Sequence, residues 1–141
     1  MASVPDVLAE LLEATRASRV TLRRDVPGEQ PFPVVEEALA PGVGSLRGER
    51  SVHLPTQPVV LEVQRGHQVV QDDCATAYDD PAFHEMLATY GGLAAQIVTP
   101  VLRDGRLDGI LSLHQLGTPR RWTDDEIAAA TRAAEQVEEL L

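Results

Sequence analysis

The feature that most constrains the fold is a pair of apolar segments around an Asp-Gly turn near the C-terminus. Residues 94–102 and 107–115 are rich in Val, Ile and Leu, and Arg-Asp-Gly-Arg at 103–106 lies between them. An Asp-Gly pair favours the tight turn of a β-hairpin, because both positions tolerate positive φ. The sequence therefore predicts an antiparallel hairpin, and with it an antiparallel sheet.

Each end of the chain predicts a helix. Residues 6–17 place Leu and Val at helical spacing after Pro5, which a helix start tolerates. Near the C-terminus, Thr123 precedes Glu126 by three residues, the pattern of a capping box that begins a helix. The helix after this box carries apolar residues at heptad-like spacing: Ile127, Ala130, Ala134, Val137 and Leu141.

Residues 18–26 alternate in the manner of a half-buried strand. Val20 and Leu22 would face one side of the sheet, and Thr21 and Arg23 the other. The Pro-Gly pair that follows is a turn signal. We therefore expect one strand directly after the first helix.

Residues 31–58 are the least regular part of the sequence. Residues 32–39 fit either a strand or a short helix, and Glu-Glu-Ala-Leu at 36–39 favours the helix. A glycine-rich loop follows, with neither of the two common glycine-rich phosphate-binding patterns. Thr56 is a plausible cap for a two-turn helix at 59–64.

The middle of the chain predicts a short strand and a further helix. Residues 68–72 fit the strand, and residues 82–90 fit a helix that Gly91-Gly92 ends. Taken with the hairpin and the terminal helices, the order of elements predicts one α+β domain over residues 1–141. We expect a three-layer sandwich, with the terminal helices on one face of an antiparallel sheet and residues 72–92 covering a pocket on the other.

Charge and cysteine content narrow the function classes. The chain has 22 acidic and 12 basic residues, a formal charge of −10, which disfavours binding to nucleic acid and to anionic membranes. One cysteine forms no internal disulfide, and no apolar stretch approaches the roughly 20 residues of a membrane span. The N-terminus has no signal-peptide pattern. We expect a soluble, cytoplasmic protein.

The predicted hairpin resembles the two late strands of GAF domains. In that family the first strand carries a proline near its end, here Pro100, and the second opens with Leu-x-Gly, here residues 107–109. Residues 117–123 and the long helix after them are similar to phytochrome and cyanobacteriochrome GAF domains. The resemblance covers residues 68–141 and implies a GAF/PAS-like sandwich with a ligand pocket.

In the bilin-binding members, a Cys-His pair on the pocket helix attaches the chromophore, and a histidine at the end of the last strand contacts it. The resemblance places Phe83 and His84 at the first position and His114 at the second. A phenyl ring has no nucleophilic atom, so no thioether is expected at Phe83. Cys74 matches only loosely the Asp-x-Cys-Phe element of some cyanobacteriochromes.

Strand alternation puts His114 and Ser112 on one face and two leucines on the other. If the leucines pack under the terminal helices, His114 points into the pocket; the alternative is a histidine satisfied by a backbone carbonyl at the sheet edge. His84 has the same two options, ligand contact or a surface role. The predicted ligand-binding set is His114, His84, Phe83, Tyr78, Tyr90, Ser112 and Cys74.

The sequence predicts no metal site, and it leaves the cofactor unknown. The close His and Cys pairs of zinc sites and the calcium-loop pattern are both absent. Cys74 lies among aspartates, which disfavour a reactive thiolate. GAF proteins that reduce methionine sulfoxide depend on several cysteines, so a catalytic role is not indicated.

Two main function classes remain, and an atypical enzyme on the GAF scaffold is a third alternative. In the first, the chain is a sensor that binds a small molecule under residues 72–92 and signals through a partner or a dimer. Its homodimer would form through the terminal helices, with the C-terminal stripe packing against Leu8, Leu11 and Leu12; the alternative for the stripe is packing on the sheet. In the second class, the chain is an interaction domain with a collapsed pocket.

Overall fold

The computed structural model describes residues 2–26, 28, 32–49 and 57–141. Four helices, five strands and one short 3-10 turn account for the regular structure of these residues. In chain order they are α1 (Val4–Thr15), β1 (Arg19–Arg24), β2 (Val34–Leu39), α2 (Pro58–Gln64), β3 (Val69–Gln71), the 3-10 turn (Cys74–Thr76), α3 (Pro81–Thr89), β4 (Leu93–Arg103), β5 (Arg106–Leu116) and α4 (Asp124–Leu140).

The strands form one antiparallel sheet in the order β2-β1-β5-β4-β3. Its centre is the predicted hairpin, in which Arg103 pairs with Arg106 across the turn. Asp104 and Gly105 both adopt positive φ, 51° and 76°, as a two-residue hairpin turn requires. The prediction of the hairpin and of an antiparallel sheet is confirmed.

The terminal helices pack side by side on one face of the sheet. Leu8 and Leu11 of α1 and Val137 of α4 are buried there against Val20 and Leu111 of the sheet. Burial of such an apolar face is the main source of stability for helices of this length. This half of the molecule forms the first of two hydrophobic cores.

The second core lies on the opposite face of the same sheet. It combines Val60 and Val63 of α2 with Phe83, Met86 and Leu87 of α3. Helices α2 and α3 therefore cover the face that the terminal helices leave open. The expected three-layer arrangement is confirmed, and α2 joins α3 in the covering layer.

The preference for a helix at 36–39 is wrong, because these residues belong to strand β2. Residues Val34–Leu39 pair with β1 in antiparallel register, with Arg19 opposite Leu39. The pairing gives hydrogen-bond partners to the outer edge of β1, a gain that exceeds the small intrinsic helix preference of the Glu-Glu-Ala-Leu run. The proposed cap at Thr56 lies outside the described residues.

Both terminal helices begin with a capping box. The box predicted at Thr123 and Glu126 is present. Helix α1 begins two residues earlier than expected, because Ser3 and Asp6 form a second box. It ends at Thr15, since Arg16 adopts a left-handed conformation with φ 54°.

The apolar stripe of α4 packs inside this chain. Ala130, Ala134 and Val137 are buried in the first core, and Ile127 and Leu141 are partly buried against it. Packing against the sheet and α1 therefore accounts for the heptad-like spacing of the apolar residues in α4. Dimerisation stays a prediction for the faces of α1 and α4 that the sheet leaves uncovered.

Across the ranges described above, no helix combines the length and apolar character needed to cross a membrane.

Candidate functional site

A small cavity lies between the sheet and the covering helices α2 and α3. The space open to the centres of water molecules inside it is about 40 Å³. It is lined by Thr21, Arg23, Gln57, Val59, Val60, Met86, Tyr90, Gln96, Val98, Ile110, Ser112 and His114. Apolar residues from the helices thus face a mostly polar patch of the sheet.

Strand register explains the polar patch. Gln96, His114 and Arg19 lie directly opposite one another on β4, β5 and β1. On the next row, Thr21 lies opposite Ser112. Because neighbouring strands place opposed residues on the same face, these side chains form a continuous polar surface under the helices.

Arg19 is the central fixed cation of this surface, and it is 1% exposed. Its guanidinium donates to three acceptors: Nε to Nδ1 of His114 at 3.0 Å, one Nη to the Gly44 carbonyl at 3.0 Å, and the other to the Tyr90 carbonyl at 2.7 Å. Burial lowers the pKa of Arg19 to about 10, so the group stays charged at neutral pH. It ties the loop after β2 and the end of α3 to the sheet.

Arg19 also fixes the tautomer of His114. The guanidinium has only donors, so Nδ1 of His114 must be the unprotonated nitrogen and Nε2 carries the proton. Burial, with the charges of Arg19 and Arg23, holds the pKa of His114 well below its ordinary value. His114 is therefore a neutral hydrogen-bond donor at physiological pH.

Arg23 is a second buried cation, 5% exposed, and its guanidinium is in the cavity lining. It donates to the Phe32 carbonyl at 2.9 Å and to the Tyr90 hydroxyl oxygen at 2.7 Å. Burial raises the pKa of Tyr90, so the phenol keeps its proton and can donate it onward. The guanidinium carbons of Arg19 and Arg23 lie 5.9 and 5.8 Å from the centroid of the Tyr90 ring.

The cavity contains an unsatisfied amide oxygen. Gln57, the residue before α2, is 3% exposed, and its Oε1 has no hydrogen-bond partner. On the opposite wall the amide of Gln96 donates to Oε1 of Gln71 at 2.8 Å. The lining thus offers partners of both kinds to a polar group inside it.

Three of the predicted ligand-binding residues lie together in this lining: His114, Ser112 and Tyr90. Their placement follows from two elements, the cavity-facing side of β5 and the end of α3. The two leucines that alternate with them on β5, Leu111 and Leu113, are in the first core. This is the arrangement on which the expected pocket position of His114 depended.

The other four predicted residues are not part of the cavity lining. Phe83 is fully buried in the second core, edge-on to Tyr78 with ring centroids 5.0 Å apart. His84 is exposed, with Nε2 2.9 Å from the Tyr78 carbonyl, which corresponds to its predicted surface role. Cys74 is also buried. Its burial raises the pKa of the thiol to about 12, and the negative charge of Asp73 contributes a smaller part of the shift. Such a thiol is unreactive.

The sequence analysis did not identify four residues as part of the site: Arg19, Arg23, Gln57 and Gln96. Alternation along β1 did place Thr21 and Arg23 on the face opposite the first core, and this was the available signal. The position of α2 over that face depends on tertiary packing, which the sequence pattern does not show. Among the described residues, no group of three or more His, Cys, Asp or Glu side chains could hold a metal ion.

The cavity that the described residues enclose does not fit a bilin. About 40 Å³ is far below the roughly 300–1,000 Å³ of pockets for drug-sized ligands, and a linear tetrapyrrole is at least that large. Phe83 is buried in the second core, and its ring has no nucleophilic atom.

Comparisons with solved structures identify the fold. The GAF domain of the cyanobacteriochrome TePixJ is 23% identical, with a TM-score of 0.80, and the match covers 95% of this chain and 83% of that one. The blue-light-absorbing PixJ GAF domain of Thermosynechococcus elongatus is 23% identical, with a TM-score of 0.76 and coverage of 97% and 83%.

A third similar structure comes from a different kind of protein. It is a domain described as part of a two-component sensor histidine kinase of Sinorhizobium meliloti 1021, 19% identical, with a TM-score of 0.71 and coverage of 94% and 84%. No curated protein sequence matches the chain significantly. The family model of the GAF domain matches residues 3–141. Since that match spans almost the whole chain, the protein belongs to the GAF domain family.

Proposed function

We propose that this chain is a sensory domain that binds a small molecule in the cavity between the sheet and helices α2 and α3. Membership of the GAF family supports a signal-transduction role. The similar structures from a cyanobacteriochrome and from a sensor histidine kinase support it as well. Binding would be passed through the sheet to the terminal helices and from them to a partner.

The observation that carries the proposal is the unsatisfied oxygen of Gln57 beside a lined cavity. A buried acceptor without a partner costs about 1–3 kcal/mol. A domain whose only task is structural gains stability by filling such a space with apolar side chains. A ligand that donates to Gln57 and fills the cavity would remove both costs.

A chain of hydrogen bonds connects the cavity to the terminal helices. Gln96 donates to Gln71, whose backbone carbonyl accepts from the Trp122 indole at 3.1 Å. The guanidinium of Arg120 lies 4.5 Å from the centroid of the Trp122 ring. It also donates to the Thr15 carbonyl at the end of α1. A shift of Gln96 on ligand binding would therefore reach both ends of the chain.

The test is a screen for binding with a cavity-filling variant. Isotope-labelled protein is titrated with mixtures of small metabolites while the NMR signals of the Met86 methyl group and the Tyr90 ring are followed. We expect at least one compound to shift both signals in the wild type. Ser112→Val, which narrows the cavity, should abolish the shifts, whereas Thr118→Val at an exposed position should preserve them.

The small volume of the cavity favours a second function, an interaction domain that needs no ligand. In that case no metabolite shifts the signals, and Ser112→Val raises the melting temperature because it fills a void. Shifts that persist in Ser112→Val would place the ligand elsewhere and refute the cavity site.

We also propose that two copies associate through the uncovered faces of α1 and α4. Leu140 near the end of α4 is 38% exposed, and Leu141 is half-buried beside it. Light scattering after gel filtration should give a dimer mass at high micromolar concentration and a monomer mass for Leu140→Glu. A monomer mass for the wild type at all concentrations would exclude the dimer.

A further inference from the structure

Buried cations without a carboxylate partner characterise the cavity wall. Arg19 and Arg23 are both nearly inaccessible to solvent, yet none of the ion pairs formed among the described residues includes either of them. The charge of Glu37 acts on Arg19, but the two residues form no ion pair. Buried charges are normally paired with an opposite charge. Because Arg19 and Arg23 form no such pair, the site retains an excess of positive charge.

Hydrogen-bond donors converge on the same space. Arg23 uses two of the five N–H groups of a guanidinium in its bonds to Phe32 and Tyr90. The bond from Arg23 occupies the Tyr90 oxygen as an acceptor, which leaves the hydroxyl proton to donate. Nδ1 of His114 accepts from Arg19, so Nε2 of His114 carries the proton. This N–H is a third donor on the lining, after Arg23 and Tyr90.

The size of the cavity limits the group that these donors can bind. One water molecule needs roughly 10–15 Å³ of such space, so about 40 Å³ holds roughly three or four non-hydrogen atoms. A carboxylate has three. Val59, Val60 and Met86 line the opposite wall, where an aliphatic carbon would fit.

We propose that the cavity binds the carboxylate group of a small organic acid, with Arg23, Tyr90 and His114 as donors and the aliphatic part against α2 and α3. The proposal rests on the proposed function, since it names the chemical class of the ligand for the same cavity.

The test compares acetate with acetamide, two probes of the same shape that differ in charge. Each is titrated into the labelled protein at constant ionic strength, with the NMR signals of the Tyr90 and His114 rings as readout. We expect acetate to bind with a Kd of roughly 0.1–10 mM, in keeping with its four non-hydrogen atoms. Acetamide should bind at least tenfold more weakly.

Arg23 variants test the assignment of the cation. Arg23→Met keeps the apolar stem and should weaken acetate at least tenfold while removing the preference over acetamide. Arg132→Met, at an exposed position of α4, should leave both probes unchanged. If Arg23→Met fails to fold, Arg23→Gln, which also removes the charge, replaces it in the same comparison.

Two results would overturn the proposal while leaving cavity binding intact. The first is equal binding of acetate and acetamide; the second is a preference for acetate that persists when Arg23→Met or Arg23→Gln removes the charge. If neither probe binds but the metabolite screen finds a ligand that Ser112→Val abolishes, the carboxylate class is wrong and the sensory function stands. If neither probe nor any metabolite binds, both proposals fail.

Discussion

Arg19 and Arg23 are separated by two repeats of the strand pattern on β1, with Thr21 between them, and both side chains lie under the covering helices. Arginine is rarely buried to this extent unless a carboxylate accompanies it. Here backbone carbonyls, an imidazole and a phenol serve as acceptors instead. The two residues have different tasks, since Arg19 holds surrounding elements together and Arg23 lines the cavity.

Arg19→Met should be strongly destabilising. The change leaves the carbonyls of Gly44 and Tyr90 and Nδ1 of His114 without a donor in a buried region. We expect the free energy of unfolding to fall by about 3 kcal/mol. Urea denaturation measures it, and Arg132→Met should change stability by less than about 0.5 kcal/mol. A loss below about 1 kcal/mol would show that the three bonds contribute little.

The stability should depend on pH through His114. Unfolded, this histidine binds a proton near pH 6.5, whereas in the folded chain its pKa lies well below that value because of burial and the nearby arginines. The unfolded state thus binds more protons, and stability decreases as the pH falls below 6.5. The slope from this one group reaches at most about 1.4 kcal/mol per pH unit.

His114→Gln removes that contribution. Unfolding of the wild type and the variant should be measured between pH 7.5 and about 5, and the difference between the two curves isolates His114. We expect the wild type to lose stability more steeply on acidification. Parallel curves would mean that His114 titrates alike in the folded and unfolded chains.

At the level of single residues, the sequence predicted the positions whose environment follows from strand periodicity. His114 and Ser112 alternate with two leucines, and the leucines indicated which face was the first core. The role of Arg23 could not be predicted in this way. Its burial depends on α2, a seven-residue helix whose position over the sheet is set by tertiary packing.

The backbones of β1 and β5 lie close together at Gly109, the glycine of the Leu-x-Gly pattern. A Cβ atom there would lie 2.9 Å from the backbone oxygen of Arg23 and 3.4 Å from side-chain atoms of Leu22 and Val101. The glycine is therefore required by the packing of the backbone, and it sits opposite Arg24 in the register. This contact explains why the Leu-x-Gly pattern requires glycine at position 109.

Gly109→Ala should destabilise the protein by about 1–3 kcal/mol, because the β1 backbone must move to admit the methyl group. Gly44→Ala is the matched control: its Cβ would meet no atom within 4 Å, and its φ is not positive. There we expect no loss, or a gain of about 0.5 kcal/mol from reduced chain entropy. Thermal unfolding distinguishes them, and equal melting temperatures would contradict the close contact.

Elements with a strong local signal were predicted correctly. The Asp-Gly turn and the capping box at Thr123 define their own geometry, so neither depends on distant residues. Strand β2 is the opposite case. Its Glu-Glu-Ala-Leu run has a weak helix preference, and only pairing with β1 makes it a strand.

At the scale of the whole molecule, the described residues form two hydrophobic cores, one on each side of one sheet. Residues 117–123, between β5 and α4, join the layers. Trp122 donates its backbone N–H to Asp72 at 3.2 Å and its indole N–H to Gln71, where the chain leaves β3. The same segment contacts the end of α1 and the start of α4 through Arg120. In the proposed function, this junction would carry the effect of ligand binding from the cavity to the terminal helices.

Trp122→Phe should loosen the junction without unfolding the domain. The variant loses the indole hydrogen bond and part of the buried ring, so stability should fall by about 1–3 kcal/mol. Hydrogen exchange of amides in residues 71–77 and in the first turn of α4 should accelerate more than exchange in β4 and β5. Arg121→Ala, next to it but exposed, should leave the pattern unchanged. A uniform acceleration would instead indicate only a global loss of stability.

The chain contains one tryptophan, and it lies at this junction. Its indole is 5% exposed, bonded to the Gln71 carbonyl and stacked beneath a guanidinium. The intrinsic fluorescence of the protein is therefore that of a single, structurally defined chromophore. Its emission wavelength and quenching by iodide report directly on movement between the cavity cover and the terminal helices, with no label attached to either.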